Sequence, residues 1–157
     1  MIEQKLPLHY PARLSLKSGI KETHLGLDVN DLQGVIYRFL SRLKALKVVV
    51  DGPLWVKSCG NVTAENDTVY MDYVFYVETT MATAFKSQFQ QFEKFEVSPC
   101  VQVDYVGSVD TSHLAQSKMD VFSFERKLME SGDMYTAIHF DDGKYIKATY
   151  FRKIYVQ

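Results

Sequence analysis

Two cysteines, four prolines and a single tryptophan are all that this 157-residue chain holds of each. Cys59 and Cys100 stand singly, outside any CxxC pair, and cannot assemble a zinc site. They read as two reduced thiols, which goes with a reducing compartment and a cytoplasmic location. No apolar run approaches the roughly 18 residues of a membrane span. Met1–Tyr10 (MIEQKLPLHY) lacks the apolar centre of a signal peptide. Charge of one sign is missing too. Lys plus Arg total 18 against 19 for Asp plus Glu, so no basic excess exists for a phosphate backbone, and neither nucleic acid nor a membrane is an expected partner. There is no P-loop, GxSxG or GxGxxG. His9, His24, His113 and His139 are scattered without HxH, HxxxH or HExxH spacing, so neither a metal nor a cofactor is expected.

What is present is a core. A chain of this length buries roughly 70% of its unfolded surface and needs no metal or disulfide to fold. Ten Tyr and ten Phe supply much of the apolar area. The periodicity predicts one compact α+β domain. Arg13–Lys17 alternates as a half-buried strand, Ser18-Gly19 breaks it, and His24–Val29 alternates again. A helix follows. Asn30 is placed to cap it with Gln33 completing a capping box, and Leu32, Val35, Ile36, Phe39, Leu43 and Leu46 form one stripe. Gly34 within it suggests close approach to a sheet.

Asp51-Gly52-Pro53 signals a turn, Leu54–Ser58 a strand and 60–67 a polar, turn-rich stretch. Thr68–Glu78 (TVYMDYVFYVE) reads as a central strand covered on both sides. Thr79–Glu93 is a connector in which Phe85, Phe89 and Phe92 suit a short helix. Phe95–Val106 is a strand whose Pro99 places an edge or bulge. Asp110, Thr111 or Ser112 can cap a second helix burying Leu114, Val121, Phe124 and Leu128 beside Phe122 and Met129, with Gly132 as its stop. Met134–Phe140, the hairpin signal Asp141-Asp142-Gly143 and Tyr145–Val156 complete the order.

That order, strand-helix-strand-strand taken twice, is a tandem βαββ repeat with a period of about 75–80 residues, too long for a solenoid. The halves are about residues 8–80 and 94–157. They predict an antiparallel sheet backed by two main helices, with a concavity where they meet.

The order is similar to that of the GyrI-like domain, the effector-binding domain of multidrug-responsive transcription regulators. The phrases that carry the resemblance are Asn30–Leu40 (NDLQGVIYRFL), Asp51–Trp55 (DGPLW), Asp72–Val77 (DYVFYV), Tyr105–Ser108 (YVGS) and Gly132–Tyr135 (GDMY). It covers about residues 8 to 157. The resemblance implies a ligand cleft at the junction of two βαββ units, and hydrophobic, often cationic, small molecules or proteins as what is bound. Cationic-drug members carry an acidic residue just before the final strand end; Lys153 stands there in this chain and would repel a cation. No helix-turn-helix reading precedes the domain, so a free-standing version is expected.

Within that frame the ligand-binding residues expected are Trp55, Tyr73, Tyr76, Glu78, Tyr105 and Tyr135, aromatic walls and hydroxyl handles with one carboxylate. Each alone is as readily a core residue, since strands are rich in Tyr. Tyr70, Tyr150 and Tyr155 belong to the same aromatic set, and Asp72 and Glu125 are further carboxylates. His139 has no nucleophile or orienting carboxylate legible beside it, so no catalytic residue and no enzymatic activity are expected. Gly107-Ser108 as an anion turn, Asp141-Asp142 as an acid pair, and Arg38, Arg42, Lys44 and Lys47 as a partner face all read more simply as turn or solvated-face chemistry. The expected function is a non-enzymatic binding module for a small, partly apolar molecule. The alternative is a protein–protein adaptor or inhibitor, such as an accessory protein of a secretion system or toxin operon, with a homodimer as a further expectation.

Overall fold

The structure, a computed structural model, describes residues 6–155. Eight strands and two α-helices follow in the order β1 (Leu8–Leu16), β2 (Gly19–Asp28), α1 (Leu32–Ala45), β3 (Leu54–Glu65), β4 (Thr68–Glu78), β5 (Gln90–Phe92), β6 (Phe95–Ser108), α2 (His113–Glu125), β7 (Glu130–Asp141) and β8 (Tyr145–Ile154). The predicted last strand reaches Val156, which lies outside the described residues.

The chain forms two compact units. One is Leu16–Phe95; the other joins Met1–Ser15 to Glu96–Gln157. In the first the strand order is β3-β4-β2-β5, and in the second β7-β8-β6-β1. The orders are the same once β2-α1-β3-β4 is matched to β6-α2-β7-β8, so the duplicated βαββ unit is present. Each copy carries an extra outer strand, β5 in one and β1 in the other.

The alternation at Arg13–Lys17 therefore falls largely on β1, whose residues up to Ser15 belong to the C-terminal unit. The strand that opens the first unit starts at Gly19, where a Cβ would fall 2.0 Å from the Val77 carbonyl oxygen. The connector forms no α-helix. It makes a 3-10 turn at Ala82–Phe85 and then β5, whose Phe92 lies opposite Gly19. Burial of Phe89 and Phe92 decides this: Phe89 meets Phe39 edge-on at 6.0 Å, and Phe92 meets Tyr76 at 5.1 Å.

α1 buries Val35, Ile36, Phe39 and Leu43, as its pattern predicts, but Leu46 is exposed and Leu32 half-buried. Gly34 faces open space, not a sheet. The capping box does not form. Asp28 caps a 3-10 turn instead, its carboxylate accepting from the Asn30 N–H at 2.9 Å. Ser108 does the same for Asp110 ahead of α2, at 3.2 Å.

α2 is rotated from expectation. It buries Ala115, Met119 and Ser123, while Leu114, Val121, Phe124 and Met129 are exposed. Small side chains at Ala115 and Ser123 let the helix sit close, and the larger apolar residues fall outside. Gly132 is no helix stop; it lies in β7 where the register shifts between Glu130 and Met134, a bulge position.

The helices end instead on lysines. Lys47 (φ 59°) and Lys127 (φ 57°) are left-handed. After each, the next N–H reaches back six residues inclusive, Val48 to the Leu43 carbonyl and Leu128 to the Ser123 carbonyl, both at 2.9 Å. These are Schellman ends with lysine where glycine is usual.

β3 runs through the stretch expected to be turn. It bulges between Ser58 and Val62, and the reversal is confined to Asn66 and Asp67, with φ of 50° and 64°. Pro99 is not on an outer strand: β6 lies between β1 and β8, and Pro99 stands one residue before the first β6 partner of β8, Cys100. The Asp141-Asp142-Gly143 hairpin forms as predicted. The Asp142 carboxylate accepts from the Lys144 and Tyr145 N–H groups at 2.9 and 2.8 Å, which holds its pKa below the usual carboxylate value.

Candidate ligand-binding faces

In each unit one sheet face packs on its helix and the other points away from it. Register sorts the expected residues between them. Under α1, Phe39 meets Phe75 at 5.7 Å, so the alternate β4 residues Tyr73, Phe75 and Val77 lie on the helix side. Trp55, Tyr76 and Glu78 therefore lie on the other side, with Trp55 directly opposite Tyr76 across β3 and β4. Under α2, Tyr105, Val101, Val103, Ala148, Tyr150 and Ile154 form the core with Ala115 and Met119. Tyr135 falls on the helix-free face, directly opposite Phe151.

Tyr73 and Tyr105 are thus placed beneath helices. Tyr105 is fully buried, and its hydroxyl donates to the Ser108 carbonyl oxygen at 2.5 Å and lies 2.6 Å from Thr111 Oγ1, tying the sheet to the turn that starts α2. Tyr73 donates to the Met71 sulfur at 3.6 Å, and burial raises its pKa. The Tyr150 pKa is raised mainly by burial as well.

Three of the other four, Trp55, Tyr76 and Tyr135, fall at equivalent positions of the two units. Trp55 with Tyr76 in the first unit matches Tyr135 with Phe151 in the second, pair for pair. The sequence pointed to Trp55, Tyr76 and Tyr135 but not to Phe151; the two-residue period of β8 read against Tyr135 could have found it. Trp55 and Tyr76 are 8% and 9% exposed, so both rings are screened from bulk water. Tyr76 also meets Phe92 and Phe95 at 5.1 and 5.3 Å.

The charge beside each pair differs. Two residues beyond Tyr76 stands Glu78, opposite Gly19; two beyond Phe151 stands Lys153, opposite Cys100. One Glu78 oxygen accepts from the Lys17 N–H at 2.9 Å. Cys100 is fully buried, and burial pushes its thiol up to about 11 against a smaller downward pull from Lys153.

Asp72 accepts from the Gly26 N–H at 2.8 Å and pins the β2 bulge, where Gly26 has φ 61°. Glu125 is exposed on α2. His139 is exposed, its Nε2 3.1 Å from Thr149 Oγ1. One polar cluster escaped the sequence reading. Glu22, on the helix side of β2, takes His24 Nε2 at 2.9 Å and the Arg42 guanidinium from α1, and Arg42 lies 4.7 Å over the Phe89 ring. The signal was available in the two-residue spacing of Glu22 and His24. Among the described residues, no group of three His, Cys, Asp or Glu side chains is arranged to hold a metal ion. No helix among them is long and apolar enough to cross a membrane.

The chain is similar in structure to the C-terminal domain of EcmrR, with a TM-score of 0.62 at 9% identity, over 98% of this chain and 100% of that one. A hydrolase from Listeria innocua and a hydrolase encoded by lin2189 from the same organism each match at a TM-score of 0.54 and 14% identity, over 92% of this chain and 91% of theirs. No protein-family model matches the sequence. No curated protein matches it either. At these identities the likeness establishes the fold alone, and that fold is the α+β arrangement expected from the element order.

Proposed function

We propose that this chain is a non-enzymatic module that binds a small, partly apolar molecule through its helix-free aromatic pairs, Trp55–Tyr76 and Tyr135–Phe151. The observation that carries this reading is the repetition of the pair at matched positions in both units. The rings are almost fully covered, so a flat ligand gains apolar burial, at roughly 25 cal/mol per Å², by displacing the side chains that cover them. Glu78 and Lys153 supply orientation. Glu78 stands beside the first pair, holding a backbone N–H through one oxygen, and the Lys153 side chain stands beside the second, so neutral aromatics suit both pairs and acidic ones only the second. The fold shared with the EcmrR domain supports a ligand-binding module.

The neighbours described as hydrolases raise an enzymatic reading. A hydrolytic base needs an orienting carboxylate and a nucleophile in reach. His139 has Thr149 as its neighbour, and the His24–Glu22 pair is engaged by Arg42 on the helix side. The second reading is a protein adaptor, favoured by the exposed apolar residues of α2.

Trp55 is the only tryptophan, so its fluorescence reports on the first pair alone. Titration with a naphthalenesulfonate, a neutral naphthalene and tetraphenylphosphonium should give saturable quenching and the largest rise in Tm with the neutral probe, because Glu78 beside Trp55 repels the sulfonate there. Trp55→Ala should abolish the Tm shift, and Tyr135→Ala should reduce it. Unchanged fluorescence and Tm with all three probes would overturn the proposal.

A further inference from the structure

The internal duplication provides a control for α2. Aligned on their lysine ends, the buried rows Val35-Phe39-Leu43 and Ala115-Met119-Ser123 coincide. The solvent rows then also coincide, and they differ. α1 presents Gly34, Tyr37, Arg38, Ser41 and Lys44; α2 presents Leu114, Ser117, Lys118, Val121 and Phe124. Ser41 and Lys44 are thus replaced by Val121 and Phe124, which are 55% and 85% exposed, with Leu114 at 43%. Nothing in the βαββ unit requires apolar residues at 114, 121 and 124, because the first unit has Gly34, Ser41 and Lys44 there and its exposed aromatic, Tyr37, matches Ser117. Beside this row runs a groove of about 410 Å³ lined by Leu8, Ser117, Lys118, Val121, Phe122 and Glu125. Tyr10 extends its apolar wall, 5.7 Å from Phe122.

We infer that α2 is a self-association surface and that its occupant is the α2 of a second copy of this chain, packed antiparallel about a two-fold axis beside Val121. The charges select this occupant. Lys118 and Glu125 lie on the same flank of the helix, almost equally far before and after Val121. A two-fold axis perpendicular to the helix keeps each flank against its own kind and reverses the direction. Lys118 of each copy then meets Glu125 of the other, giving two reciprocal ion pairs. On the opposite flank Phe124 of each copy comes over Ser117 of the other, a bulky side chain against a small one. The antiparallel arrangement also sets the helix dipoles head to tail. Lys118 already donates to the Leu6 carbonyl oxygen, which orients the ammonium without using all its protons. A 13-residue helix is only about 20 Å long, so the contact falls below the size of a stable interface and the dimer is weak.

Sedimentation equilibrium of the whole chain at low salt tests this without any ligand, so its outcome is independent of the aromatic-pair reading. The expected result is a monomer–dimer equilibrium with a Kd of about 10–500 μM. Phe124→Ser should weaken it about tenfold or more. Lys118→Glu and Glu125→Lys should each weaken it several-fold, and the double charge swap should restore it to within about threefold of the parent. The Leu6 contact is lost in Lys118→Glu and in the double variant alike, so restoration on adding Glu125→Lys is specific to the reciprocal pair. Phe124 is solvent-exposed within one copy, so its variant should keep the parent Tm, confirming that the fold is intact. A chain that stays monomeric to 1 mM overturns the inference. So does a dimer indifferent to Phe124→Ser, or one that the charge swap fails to restore.

Discussion

Lysine at a left-handed helix end is a local compromise visible twice. A Cβ in this region costs roughly 1–2 kcal/mol, against which glycine loses more freedom on folding. Lys47→Gly and Lys127→Gly should each raise stability by about 0.5–1 kcal/mol, or roughly 2–4 °C in Tm, measured by thermal denaturation. A fall in Tm for either would show that the lysine stem contributes more by packing than the backbone conformation costs. Tyr105 shows the opposite case, where side chain and backbone agree. Its ring fills the core while its hydroxyl holds the Ser108 carbonyl. As a lone residue in the sequence it could not be told from Trp55 or Tyr135, since all three are aromatics in β-prone runs. Only register separates the helix-covered face from the other.

Among the elements, α1 and α2 divide what the sequence discloses from what it hides. α1 was legible because its buried row is built of Val, Ile, Phe and Leu, so hydrophobic period and burial coincide. α2 lies rotated from its hydrophobic period because its buried row is Ala115, Met119 and Ser123, while the larger apolar side chains Val121 and Phe124 dominate the pattern. Phe39→Ala should therefore cost about 3–5 kcal/mol in chemical denaturation, while Leu114→Ala, at a position whose size suggests burial, should cost under about 1 kcal/mol. Equal losses would mean that α2 packs through Leu114 after all. The connector departs from its helical spacing for a related reason. Phe85, Phe89 and Phe92 satisfy a helical spacing, yet Phe92 is drawn into β5 by Tyr76 and Phe95. Of the candidate site, aromatic residue types could be read directly, whereas Phe151 and the Glu78–Lys153 exchange needed the strand pairing.

For the molecule as a whole, the repeat could be read from element order, but not which outer strand completes which copy. β5 follows β4 closely and closes its own unit, whereas β1 comes from the far end of the chain to close the other. Leu8, packed against the α2 core, is its stake in that unit. The Asp104 N–H also donates to the Pro7 carbonyl oxygen at 3.1 Å. Removing residues 1–15 should lower Tm by at least about 5 °C and speed amide exchange in β6 and α2 ahead of β4 and α1. Uniform exchange across both units, or an unchanged Tm, would contradict that assignment.

The placement of β1 also bears on how the protein is made. A ribosome releases Leu8–Leu16 first and β6 only after all of Leu16–Phe95 has been translated, an interval on the order of ten seconds. Through that interval the earliest segment waits with its ladder groups unmatched, while the middle of the polypeptide already has every strand of its own unit. Pro11, which removes one ladder donor from this strand, makes the waiting segment a poorer template for a stray strand of another nascent chain.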